Sequence, residues 1–121
     1  SEAADGMLAA DDEDRIVAVS DRALRLLGYD DRADLVGTRL IGIIPERYRQ
    51  AHLAGFTMHF LSGRALLVGR TVVVPALRRD GSEVEVELTI RTDRTDDGRT
   101  LFVADLAAAA DARRRSEDLG V

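Results

Sequence analysis

The chain reads as an α+β domain in which an antiparallel sheet carries helices packed on one face. Three observations lead there. Short apolar, strand-like runs gather at both ends of the chain with the helical signals between them, the order that sets α+β folds apart from alternating α/β ones. From Glu83 to Ile90 the residues alternate without a fault, with Val84, Val86, Leu88 and Ile90 on one face and Glu83, Glu85, Glu87 and Thr89 on the other, which is the period of a half-buried strand. The stretch PERYRQAHLAGFTMHFLSG, from Pro45 to Gly63, has the proline start, early glutamate and glycine stop of a helix of about four to five turns.

Bulk composition narrows the class. A chain of 121 residues with 45% hydrophobic and 32% charged side chains fits one globular domain with its own core. Only 4% of the residues are aromatic, so that core must be built from Leu, Val, Ile and Ala. A net charge of −5 argues against nucleic acid, whose affinity comes first from neutralised phosphates. The absence of cysteine removes disulfides, thiolate metal sites, thiol nucleophiles and cysteinyl cofactor adducts together. No apolar run approaches the length that crosses a bilayer, and SEAADG lacks the basic start of a secretory signal. The expectation is a cytoplasmic domain of a larger protein, with no membrane partner.

Taken in order, Ser1 to Gly6 is a loose lead-in, and Met7–Ala10 and Ile16–Ser20 flank the charged turn Asp11–Arg15 as a first hairpin. Ser20 caps a short helix in which Ala23, Leu24 and Leu27 repeat at helical spacing until Gly28. Ala33–Val36 reads as one helical turn ended by Gly37, and Thr38–Ile44 as another short piece. Along the long helix, steps of three and four place Tyr48, His52, Gly55 and His59 on one stripe and Leu53, Phe56 and Phe60 on the next. Leu66–Leu77 is a valine-rich strand whose Pro75 requires a bulge or a free edge. The turn Arg79–Ser82 leads into the Glu83–Ile90 strand, and the polar loop Asp93–Arg99 leads into a last strand, Leu101–Ala104. Beyond Leu106 the alanine- and arginine-rich tail suits an exposed helix. The domain organisation expected is a lead-in over 1–6, the folded domain over 7–106 and a helical connector over 107–121.

Four stretches carry a family resemblance: VSDRALRLLGYD from Val19 to Asp30, IIPERYRQAH from Ile43 to His52, ALRRDGSEVEVELTI from Ala76 to Ile90, and FVADL from Phe102 to Leu106. In this order and at these separations the chain resembles the PAS family of bacterial sensory domains over nearly its whole length. Ser20 stands where that family commonly has asparagine, and serine caps as well. The resemblance implies a five-stranded antiparallel sheet in the order 2-1-5-4-3, helices on one side and a cavity between. It also implies a non-catalytic sensor that binds a small ligand or partner, often as a homodimer. Such a sensor relays its signal to an attached effector: a histidine kinase of a two-component system, a cyclic-dinucleotide enzyme or a transcription regulator.

His52 falls where the heme-binding oxygen sensors of the family place the axial histidine, with Leu53, Phe56 and Phe60 able to pack on a porphyrin. Those sensors also use an arginine on the third strand, three residues after a glycine. Counted from Gly69 that position is Val72, and Arg70, two residues earlier on the same strand face, is a partial substitute. The resemblance thus implies a cofactor site of His52, Phe56, Arg70, Val72, Leu88 and Ile90, with heme b on His52 as the specific candidate. A histidine merely hydrogen-bonded at the core edge, a noncovalent flavin, a fatty acid and a filled core without ligand stand beside it. His52 and His59 cannot share a metal ion, since seven helical residues span about 10 Å while two ligands of one zinc approach within roughly 3 to 4 Å. An enzyme would need a poised pair such as His52 with Asp105, for which the sequence provides no reason to expect contact. The alternative to ligand sensing is a ligand-free dimerisation module, pairing through the glutamate face of Glu83–Thr89 and the charged tail Arg113–Asp118.

Overall fold

The computed structural model describes residues 6–54 and 69–110. β1 (Gly6–Asp11) and β2 (Ile16–Val19) form the first hairpin, and β3 (Thr71–Leu77), β4 (Glu83–Arg94) and β5 (Thr100–Ala108) form a meander. All neighbours pair antiparallel in a single sheet of order β2-β1-β5-β4-β3. Sheet order and fold class are those the resemblance implied.

Pro75 sits inside β3 opposite Glu85, and β3 is an edge strand, so the missing N–H faces the side without a neighbour. The bulge falls instead between Ala9 and Ala10, where the β1–β2 register shifts. β4 runs four residues past Ile90, to Arg94, and β5 extends to Ala108, past the expected domain end at Leu106. The backbone ladder causes both extensions: Arg91, Thr92, Asp93 and Arg94 pair with β5 whatever their side chains. The loop shrinks to a turn at Thr95–Gly98, closed by the Gly98 N–H to the Thr95 carbonyl at 2.9 Å.

α1 (Asp21–Leu26) starts where the sequence placed it. Ser20 Oγ accepts from the Ala23 N–H at 3.3 Å and from the Met7 N–H at 2.9 Å, so one hydroxyl caps the helix and ties it to β1. Close packing follows, because a Cβ on Gly6 would lie 2.9 Å from Ala23 Cβ. Three 3-10 turns come next, Arg32–Asp34, Leu40–Ile43 and Glu46–Tyr48. Pro45 takes an extended conformation ahead of the third turn (φ −55°, ψ 143°), and α-helix, here α2, covers residues 49–54. The helix expected from Pro45 therefore begins with a tighter turn. Its remainder, the tail beyond 110, and the expectations placed on Gly55, Phe56, His59, Phe60 and Arg113–Asp118 lie outside the described residues.

The core lies between the sheet and α1 with its following turns. Ile16, Ala23, Leu27 and Leu35 are at most 1% exposed, joined by Leu8, Leu24, Val86 and Leu106. The inner residues of β4 are the alternating valines and leucine of the sequence pattern, so the predicted face is the buried one.

Candidate ligand cavity

A cavity of about 440 Å³ opens between the inner face of the sheet and the α2 side. The sheet wall is aliphatic: Leu8 and Ala10 from β1, Val72 and Val74 from β3, Val86 and Leu88 from β4. Ile90 continues it, and Phe102, Ala104 and Leu106 of β5 complete it. Opposite lie Leu27, Leu40, Ile43 and Ala51, with Tyr48 and His52 as the hydrogen-bonding side chains among the described lining residues. Tyr48 and His52 are four residues apart and share one face of the chain as it enters α2. Leu53, expected on the apolar stripe, is 40% exposed.

His52 belongs to the cavity wall and also to a buried polar cluster. Its Nε2 is 2.9 Å from Oδ1 of Asp14, in the β1–β2 turn. Asp14 is the one buried charged residue among those described, at 2% exposure. Its Oδ2 accepts from the Ile41 N–H at 3.2 Å and lies 3.8 Å from Arg39 Nε, while its own carbonyl accepts from the Leu40 N–H at 2.7 Å. Asp14 also adopts a left-handed φ of 64°, which aspartate tolerates better than most residues. One carboxylate thus holds the first hairpin, the Leu40–Ile43 turn and the cavity wall together.

Just outside, Arg47 clasps Glu83 with two hydrogen bonds of 2.6 and 2.7 Å and lies over the Tyr48 ring, 4.8 Å from its centroid. Arg47 holds the Glu83 carboxyl below its ordinary value. The clasp joins the segment before α2 to the start of β4. Arg49 is likewise engaged, with Nε donating to the Ile44 carbonyl at 2.9 Å.

Of the residues expected to hold a cofactor, the fold brings His52, Val72, Leu88 and Ile90 to the cavity. Arg70 is exposed just before β3 and is absent from the described lining. Asp105 pairs with Arg91 at 3.4 Å, and the carboxylate that meets His52 is Asp14. Nothing local marked Asp14, the last acid of the run DDED, as different from a solvated turn residue.

The family model described as the PAS fold matches residues 1–104. The chain belongs to the PAS family. A protein of Azorhizobium caulinodans, described only as uncharacterized, is 34% identical over 119 residues, which cover 95% of this chain and 16% of the relative. Among solved structures, the PAS domain of an HTR-like protein from Haloarcula marismortui is similar with a TM-score of 0.65 at 22% identity, covering 88% of this chain and 83% of that one. A PAS domain from Desulfitobacterium hafniense gives a TM-score of 0.68 at 14% identity, covering 86% and 92%. A PAS domain from a two-component sensor histidine kinase gives 0.66 at 15%, covering 88% and 86%. These likenesses show the fold. PAS domains are signal-sensing modules, generally without catalytic activity of their own. In this PAS domain, no helix among the described residues is long and apolar enough to cross a membrane.

The heme-binding branch sets a specific requirement that this PAS domain can be tested against. Heme needs a histidine nitrogen directed at iron and cations beside its propionates. Here Nε2 of His52 meets Asp14, and axial ligation through that nitrogen would require the pair to part. Arg70 lies away from the described lining, and Arg47 is spent on Glu83. The described residues, as folded, do not fit heme, and the expectation of His52 as an iron ligand finds no support in this geometry.

Proposed function

We propose that this PAS domain is a cytoplasmic sensory module whose signal is occupancy of the inner cavity by a small, largely apolar molecule. The observation that carries the reading is the cavity itself, about 440 Å³ walled by aliphatic side chains, a volume and lining typical of small-molecule sites. Occupancy bears on the effector through β5. Phe102, Ala104 and Leu106 touch the cavity, and the same strand runs on to Ala108 at the C-terminal end of the described chain. An effector joined to the domain is part of the proposal, supported by a relative of which the chain spans only 16%. So is a homodimer using the outer sheet face, where Met7 and Val17 are 39% and 42% exposed.

Titration with the neutral fluorophore N-phenyl-1-naphthylamine tests the cavity. Saturable binding near one equivalent is expected, with loss in Ala104→Trp, which fills the cavity from β5. Absence of saturable binding, or equal binding by a folded Ala104→Trp variant, overturns the reading.

A further inference from the structure

We infer that the cavity takes an uncharged amphiphile: an aliphatic or small aromatic body with one hydroxyl group, seated with that group toward Tyr48 and His52. The inference rests on the cavity reading and adds the ligand's charge and polarity. An apolar wall cannot replace the water around an ionic group, so the ligand's polar part must meet the wall's own polar groups. Among the described lining residues these are Tyr48 and His52, close together at one side.

The charge behind that side is negative. Asp14 lies 2.9 Å beyond His52, its carboxylate side chain only 3% exposed. Its second oxygen has one backbone N–H and an arginine at 3.8 Å that is itself 53% exposed. A ligand carboxylate at His52 would approach this buried anion. Among the described residues the neighbouring cations offer little relief, since Arg47 is paired with Glu83 and Arg49 is bound to the Ile44 carbonyl. Phosphate- or propionate-bearing cofactors meet the same obstacle. A flavin ring adds another, because its edge alternates donors and acceptors that amide side chains satisfy, and the chain's one amide side chain, Gln50, is exposed and absent from the described lining.

Displacement of N-phenyl-1-naphthylamine by ligands of equal chain length tests this on the intact chain. 1-Octanol is expected to displace the probe, and octanoate at pH 7.5 about tenfold or more weakly, as burial beside a like charge demands. In Asp14→Asn, which keeps the side-chain shape and removes its charge, octanoate is expected to gain several-fold while 1-octanol changes less than about twofold. Octanoate competing as well as 1-octanol in the wild type overturns the inference, whether or not Asp14→Asn folds. Probe bound but displaced by neither overturns the inference alone. Failure of the probe itself to bind overturns the cavity reading beneath it.

Discussion

Nε2 of His52 and Oδ1 of Asp14 lie 2.9 Å apart across a separation of 38 residues, and the contact fastens the cavity wall to the β1–β2 turn. Because Asp14 is buried, removing His52 leaves one carboxylate oxygen, Oδ1, without this hydrogen bond while Oδ2 keeps the Ile41 N–H. His52→Leu is therefore expected to destabilise the domain by about 3 kcal/mol in urea unfolding, and His52→Gln, which keeps a donor, by less. A His52→Leu loss below about 0.5 kcal/mol would show the contact to be energetically idle.

Backbone conformation adds a second cost at the same turn. With φ at 64°, Asp14→Ala loses the carboxylate and also places a Cβ-bearing residue without polar compensation in the left-handed region. Asp14→Asn should consequently be more stable than Asp14→Ala by about 1 kcal/mol in the same unfolding assay.

At Gly6 the sheet runs tight against α1. Added carbon at that position would meet the backbone of Ala23 at 3.0 Å, so Gly6→Ala must push α1 outward. A loss of about 1–3 kcal/mol is expected, as for other overpacked sites. No measurable change in the unfolding midpoint would refute the tight contact.

Core and surface leucines should separate cleanly. Leu27, 1% exposed, is expected to cost about 2–5 kcal/mol on truncation to alanine, whereas Leu53, 40% exposed, should stay within about 1 kcal/mol. Comparable losses at both would mean that the α2 segment is seated differently.

Acid stability follows from the surface clasps. Glu83, paired with Arg47, and Asp21, paired with Arg32, are held below their ordinary values of 4.5 and 3.8. A carboxylate lowered in the folded state contributes stability above its unfolded value, and that contribution is lost as pH falls through the folded one. Stability should hold from neutrality down to about pH 5 and decline below 4.5, with a shallower decline in Glu83→Gln and in high salt. An identical acid limb in Glu83→Gln, measured by urea unfolding at stepped pH, would rule out the clasp as a contributor.

How much was legible in the sequence differs sharply between elements. Ser20 as a cap, Gly28 (φ 81°) as a helix stop and the Val84–Ile90 face could be read directly, because capping, left-handed φ and strand alternation are set by residues within a few positions of one another. Local patterning also marked Pro75 as a residue needing a bulge or a free edge, and the sheet order decided for the edge. It misjudged the ends of β4 and β5, where pairing with a neighbour rather than side-chain polarity sustains the strand.

By itself, then, the sequence determined the fold class, the buried face of the sheet and the short helices, all matters of near neighbours along the chain. Only the tertiary structure decided that the aliphatic faces leave a cavity, that Arg70 lies away from its described lining, and that Asp14 is the acid which meets His52. The physical reason is distance in sequence: a contact across 38 residues depends on how hairpin, turns and helix close on one another, and no local periodicity encodes that closure.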